Sequence, residues 1–343
     1  MSLATKYRPK TFDDFTEQSL VVDIVRKMCE DKDHINRNFL FIGPAGCGKT
    51  SIARCIANVL NEGQGEPIEI DAASNSGVEH MRNLMKEAQQ YPIVGRYKVF
   101  IIDEVHALSQ SAFQSLLIPI ESGVAKSIFL FCTTNPEKIP ATILSRVQTF
   151  QLSKISLAGI TARLKYVLDC EIAEGRNITY EESAINFIAK LANGGMRDAL
   201  TLLDKALTYS DDVTLSNLEI ALNLPNYDDY FALLQAYASK DNSEVTRIVS
   251  EVYNSGVNFV KWFEGFHSFI INVVKYIFLQ DIEKTLIPSQ YNDKISKYGT
   301  AHSIVCLKLA NKLLSMNNEL KSTQYLQEVA LTYLCQLPKK EHQ

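Results

Sequence analysis

A chain of 343 residues has room for two or three domains. Hydrophobic residues make up 46% and charged residues 22%, which excludes a disordered chain and requires packed cores. The net charge of −4 is spread evenly, with 16 Lys+Arg against 17 Asp+Glu over residues 1–152, 7 against 9 over 153–212 and 12 against 13 beyond, so no segment has the basic excess that would by itself announce nucleic-acid binding; a local basic patch stays open.

The N-terminal part alternates short apolar runs with helical stretches. "FLFIG" (39–43), "IEIDA" (68–72), "KVFIIDE" (98–104) and "SIFLFCTT" (127–134) suit buried parallel strands. Strands separated by helices predict a parallel α/β sheet covered on both faces. In "SNSGVEHMRNLMKEAQQ" a capping box, Ser76-x-x-Glu79, sets a helix start near Gly77. Ser109 caps the next helix, "QSAFQSLLIPIE", which Pro119 is expected to kink or end. After about Gln151 the strand signals stop. Residues 153–212 read as a small helical bundle, with apolar residues at helical spacing in "EESAINFIAKLA" and "MRDALTLLDKAL". "YSDDVTLSN" reads as a linker, and the chain is again helical to about Leu337, ending in a charged "PKKEHQ" tail. Phe259 to Leu279 is the most apolar long run. Lys261, Glu264, His267, Asn272 and Lys275 interrupt it, so it is a core helix and no membrane span is expected.

Chemistry enters at "FLFIGPAGCGKTSIARCIANVL", where Gly43, Gly48, Lys49 and Thr50 fit the phosphate-loop pattern G-x-x-x-x-G-K-[ST] between a strand and a helix. Gly43, Pro44, Ala45, Gly46, Cys47, Gly48, Lys49, Thr50 and Ser51 form such a loop; its backbone N–H groups, Pro44 excepted, surround the phosphates of a nucleotide, and the following helix points its positive end at them. Lys49 would neutralise phosphate charge, and Thr50 would place its hydroxyl on Mg²⁺. "VFIIDE" ends a buried strand in Asp103, suited to the Mg²⁺ shell, and Glu104, suited to activating water. Alone, that stretch is equally a strand running into an acidic turn; the phosphate loop upstream favours the hydrolytic reading. Thr134 or Asn135, after the next strand, would lie near the γ-phosphate. Arg146 follows a serine in "ATILSRVQTF", and Arg197 sits one turn into a helix after two glycines. Each arginine alone reads more readily as a surface or salt-bridge residue. In this order they match two arginines that stabilise transition-state charge, one in trans and one in cis.

Here a family resemblance becomes specific. "YRPKTFDDF", "GPAGCGKTSIAR", "IEIDAASNSGVEHMR", "GRYKVFIIDEVHALSQSAFQSLL", "TTNPEKIPATILSR" and "GGMRDAL" together resemble the AAA+ ATPases of bacterial clamp loaders, the gamma/tau subunits of the replicative polymerase. The resemblance is clear over roughly residues 3–208 and vague beyond. It implies a RecA-like AAA+ core over residues 1–152, a helical lid over 153–212 and an all-α collar over 213–337 that joins a ring of about five subunits. In that family ATP with Mg²⁺ lets the ring open a sliding clamp, and primer–template DNA triggers hydrolysis and release. By resemblance Thr134 is the first sensor, Arg146 the finger to a neighbour's ATP and Arg197 the second sensor. Tyr7, Arg8 and Pro9 lie by the adenine. Ser76, Gly77 and Ser109, at two helix starts, and Arg82 face the template backbone. The end of the 77–90 helix with Tyr91, Pro92, Ile93 and Val94 faces the clamp, although these four residues could equally pack under the sheet.

Two departures stand out. The family inserts a four-cysteine zinc module before the "IDAAS" strand, whereas "NVLNEGQGEPIEI" crosses that gap directly, so no zinc is expected. None of the seven cysteines forms a C-x₂-C pair, and an odd, scattered set with no signal-peptide pattern fits reduced thiols in a cytoplasm. The chain also stops after the collar, a compact form that suits a bacteriophage replication system or a divergent cellular copy. Other AAA+ DNA-remodelling motors or initiators remain the alternative, as does a non-catalytic structural ring subunit.

Overall fold

A computed structural model describes residues 1–31, 35–122, 126–224, 226–298 and 302–335, in two units. One holds residues 1–178 and 188–207; the other holds 179–187 and the chain from 208 onward. The expected collar end at Leu337 and the charged tail lie outside the described residues.

The first unit opens with a single turn, α1 (Leu3–Lys6), and α2 (Ser19–Glu30). Five strands follow, β1 (Asn38–Ile42), β2 (Ile68–Asp71), β3 (Lys98–Asp103), β4 (Ser127–Thr133) and β5 (Gln148–Gln151), in the order β2-β3-β4-β1-β5. Every ladder is parallel. β1, β3 and β4 are buried along most of their length because both faces are covered. Phe39, Phe41, Ile101 and Leu130 pack beneath α2 and α3 (Lys49–Leu60). Leu40, Phe100, Ile102, Phe129 and Phe131 pack beneath α4 (Val78–Ala88) and α5 (Gln110–Ser122). Phe41 stacks on Phe150 at 5.6 Å, which binds β5 to the sheet. The sequence reading stopped short of β5, since "QTFQ" has one buried apolar residue between polar neighbours.

One local expectation is overturned. The Ser76 capping box does not form: Gly77 is the N-cap of α4 without a side-chain bond, and the Ser76 carbonyl instead accepts the Ser109 N–H at 3.1 Å. Of the two outcomes expected at Pro119, an end to the helix does not occur, since α5 continues to Ser122. Ile120 is buried, and its carbonyl accepts from the Asn38 side-chain amide at 2.9 Å, so contacts with β1 hold the turn that the proline ring weakens. Ser109 does cap α5, its hydroxyl accepting the Ala112 N–H. The short connection from α3 to β2 is closed by Asn61, whose amide bonds Tyr97 N–H, Tyr97 C=O and Arg96 N–H.

After the sheet come α6 (Ala141–Leu144), α7 (Leu157–Ala173), the last turn of α8 (Glu182–Leu191) and α9 (Met196–Tyr209) as far as residue 207.

In the second unit the supposed linker is fixed. β6 (Thr179–Tyr180) pairs in parallel with β7 (Asp212–Val213), a short ladder within a region read as wholly helical. Thr214 then caps α10 (Leu215–Ala221). Among the described residues six more α-helices follow: α11 (Tyr227–Ser239), α12 (Asn242–Asn254), α13 (Phe259–Leu279), α14 (Asn292–Ile295), α15 (Ser303–Leu320) and α16 (Leu326–Leu334). Their core is aromatic, with Tyr230, Phe263, Phe266 and Phe269 packed among Leu309 and Leu313. The predicted core helix is α13. Its buried Asn272 donates to Ser268 C=O and accepts Leu286 N–H, so its polarity is satisfied inside the unit. Among the described residues no helix is long and apolar enough to cross a membrane.

Candidate functional site

The carboxyl end of β1 lies where the strand order reverses, since β2 is reached on one side and β5 lies on the other. Ligands of open α/β sheets bind at such a point. The phosphate loop leaves β1 there. Gly46 and Gly48 have φ of +72° and +108°, which glycine adopts without strain, and a Cβ on Gly48 would lie 3.3 Å from the Phe15 ring. Gly48 is the N-cap of α3, so the first helical N–H groups face the pocket that the loop encloses.

Lys49 is 6% exposed, and its ammonium donates to Gly43 C=O at 2.9 Å and Pro44 C=O at 2.8 Å. Neither acceptor is an anion, so this buried charge suits a polyanionic ligand. The Thr50 hydroxyl donates to Asp103 Oδ2 at 2.7 Å. Asp103 Oδ1 accepts the Glu104 N–H. Glu104 sits at φ 47°, a rarely occupied conformation for a side-chain-bearing residue. Its Oε2 accepts from the Thr134 hydroxyl at 3.1 Å and lies 3.2 Å from His106 Nδ1. His106 Nδ1 lies 3.0 Å from Thr133 Oγ1, and the Asn135 N–H donates to that same oxygen.

One pocket gathers Tyr7, Arg8, Pro9, Ala45 to Ser51, Asp103, Glu104 and Arg197. Gly43 and Pro44 are not in its lining but hold Lys49 from behind. Burial, and then the cations Arg54 and Arg197, lower the pKa of Arg8, which marks a concentration of positive charge. Gly46 meets Gly195 closely, and the Met196 N–H donates to Gly46 C=O at 3.0 Å, so the loop touches the start of α9 directly. Asp14, Phe15, Thr16, Ile155, Arg163 and Leu200 also line the pocket, and the sequence reading missed them. Asp14 and Phe15 end the quoted "YRPKTFDDF" stretch and Leu200 ends "GGMRDAL", in which only Tyr7, Arg8, Pro9 and Arg197 were given a role; the other three belong to no spaced motif, and only folding brings them in.

Arg146 is outside this pocket, held by Thr142 C=O at 2.9 Å, Ser145 Oγ at 3.2 Å and Glu121 at 3.3 Å. Ser76, Gly77 and Ser109 meet where α4 and α5 begin, joined by the Ser109–Ser76 backbone bond, and Arg82 is exposed on α4. Tyr91 and Ile93 are 70% and 101% exposed, and Val94 is exposed as well, so this cluster does not pack under the sheet.

Two family models match the chain. One, described as DNA polymerase III, delta subunit, covers residues 66–156; the other, described as the ATPase lid domain of the DNA polymerase III clamp loader subunit, covers 159–212. The chain is 33% identical to DNA polymerase III subunit gamma of Buchnera aphidicola subsp. Baizongia pistaciae, over 87% of this chain and 89% of that protein. It is 37% identical to subunit tau/gamma of Haemophilus influenzae over 69% of this chain, and 29% identical to subunit tau of Bacillus subtilis over 96%. It spans 36% and 62% of the length of those two relatives. Among solved structures, the RuvB Holliday junction branch migration motor of Thermotoga maritima superposes with a TM-score of 0.53 at 19% identity, over 67% of this chain and 78% of that one. That likeness shows a shared RecA-like AAA+ fold.

Proposed function

The chain belongs to the gamma/tau family of DNA polymerase III clamp-loader subunits, and on that premise we propose that it is an ATP-hydrolysing subunit of a sliding-clamp loader. The observation that carries the reading is the convergence in one pocket of buried Lys49, the Thr50–Asp103 pair and the cations Arg8 and Arg197. These residues fit ATP and Mg²⁺: a buried ammonium bonded only to carbonyls suits phosphate, and a hydroxyl beside a carboxylate suits a hard divalent cation. When bound, Mg²⁺ supplies neutralisation of phosphate charge.

In this reading residues 1–152 form the core, 153–212 the lid and 213–337 the collar. Thr50 and Asp103 hold the metal. Glu104 accepts a proton from the attacking water, and Thr134 orients Glu104 through the hydrogen bond described above. Arg197 stabilises phosphate charge within the same chain. Arg146, outside its own pocket, serves a neighbour's site in the ring. Ser76, Gly77, Ser109 and Arg82 meet primer–template DNA, and the exposed Tyr91, Ile93 and Val94 meet the clamp. The setting is a cytoplasm. A bacteriophage source rests on the short connection after α3.

Binding of a fluorescent ATP analogue tests this reading. Lys49→Ala should abolish binding, while Glu104→Gln should keep binding and lose turnover, since Lys49 meets ground-state charge and Glu104 acts on water. Equal binding by wild type and Lys49→Ala would remove the phosphate-loop assignment.

A further inference from the structure

Tyr7, Arg8 and Pro9 form one wall of the nucleotide pocket, yet they follow a four-residue helix and belong to no strand. The Pro9 carbonyl accepts from the Cys55 thiol of α3 at 3.8 Å, and further support comes from α7. Glu171 of α7 is 5% exposed. Its Oε1 accepts from Lys6 Nζ at 2.7 Å and from the Tyr7 hydroxyl at 2.8 Å, and its Oε2 from Arg176 at 3.4 Å. Glu174, one turn further on, is a second acceptor for Lys6. Two turns nearer the start of α7, Arg163 lines the pocket and donates to Tyr7 C=O at 3.3 Å. Residues four and eight apart share a helix face, so Arg163 and Glu171 grip the same segment from one side. Burial opposes ionisation of Glu171, but hydrogen bonds from Lys6 and Tyr7 outweigh it and hold the carboxyl below its usual range. Burial, followed by the bond to Glu171, raises the Tyr7 phenol to about 12, so it stays a donor at neutral pH.

We infer that Glu171 is the positioning residue that sets the Tyr7–Pro9 wall against α7, so that nucleotide affinity depends on a carboxylate that does not line the nucleotide pocket. The inference rests on the proposed ATPase reading. A salt bridge that only stabilised the unit would change melting temperature without singling out nucleotide affinity. A positioning residue moves affinity at constant turnover.

The test is a double-mutant cycle with Tyr7→Phe and Glu171→Gln in the full chain. It reads the Kd of a fluorescent ATP analogue, the KM and kcat of ATP hydrolysis, and melting temperature. Loss of a buried hydrogen bond to a charged group is worth enough to weaken binding about tenfold in Glu171→Gln. Tyr7→Phe should weaken binding by a smaller factor. The double variant should match Glu171→Gln in Kd, and in Glu171→Gln alone kcat at saturating ATP should hold. Unchanged Kd in both single variants, or independent additive effects, overturns the inference. Tyr7→Phe removes one hydroxyl only, so it decides the matter even if Glu171→Gln fails to fold. Wild-type chain that binds no ATP analogue overturns the ATPase reading instead.

Discussion

Gly43 shows how tightly one residue is specified at the site. A Cβ there would lie 2.7 Å from Leu152 C=O, and Leu152 N–H is already bonded to Ile42. Gly43→Ala must therefore push β5 from the end of β1, at a cost of about 1–3 kcal/mol. Thermal melts should show that loss, and ATP binding should weaken with it because Gly43 C=O holds Lys49. The turn that carries Lys49 and Thr50 from β1 into α3 was legible in the sequence because one short stretch encodes its geometry. Asp103 and Glu104 were legible as the end of an apolar run. Glu171 was not: its partners Lys6 and Tyr7 lie 165 and 164 positions away, and a lone glutamate on a helix carries no sign of burial. His106 was missed for a related reason, since it sits in the turn after β3 and its contact, Thr133, ends β4.

At the scale of elements, apolar run length told strands from loops well when a strand was buried on both faces, as in β1, β3 and β4. It failed for β5 and for the β6–β7 ladder, which are short and partly polar. Pro119 does not end α5, because its tertiary setting holds the turn that follows. The turn after the proline is secured by Asn38, so replacing that side chain tests the account. Asn38→Ala removes the buried hydrogen bond to the Ile120 carbonyl and should cost about 1–3 kcal/mol. Asn38→Asp, which turns an acceptor toward that carbonyl, should cost at least as much. Urea unfolding of the two variants gives the comparison, and a neutral result for both would mean that packing alone carries the end of α5.

At the scale of the whole molecule, catalysis in this reading is a property of an assembly. Arg146 lies apart from its own pocket, and arginine fingers are worth roughly 10³–10⁵ in rate. Isolated chains should therefore hydrolyse slowly and assembled rings faster. Mixing Arg146→Ala chains with Glu104→Gln chains should recover activity that neither has alone, because some mixed interfaces pair an intact Glu104 with an intact Arg146. Steady-state ATPase of such mixtures, with assembly checked by sedimentation, would count against a trans role if nothing is recovered.

The backbone bond from Met196 N–H to Gly46 C=O joins the phosphate loop to the first residue of α9 without any side chain. An amide in that position trades its proton for deuterium only while the two segments stand apart. It is a clock fixed in the main chain, which no side-chain substitution elsewhere removes. Nucleotide that draws Arg197 and the loop together should slow the clock, and hydrolysis should let it run again. Deuterium uptake by a peptide spanning residues 192–200, followed with ATP analogue, with ADP and without nucleotide, would time the opening of the site in each state.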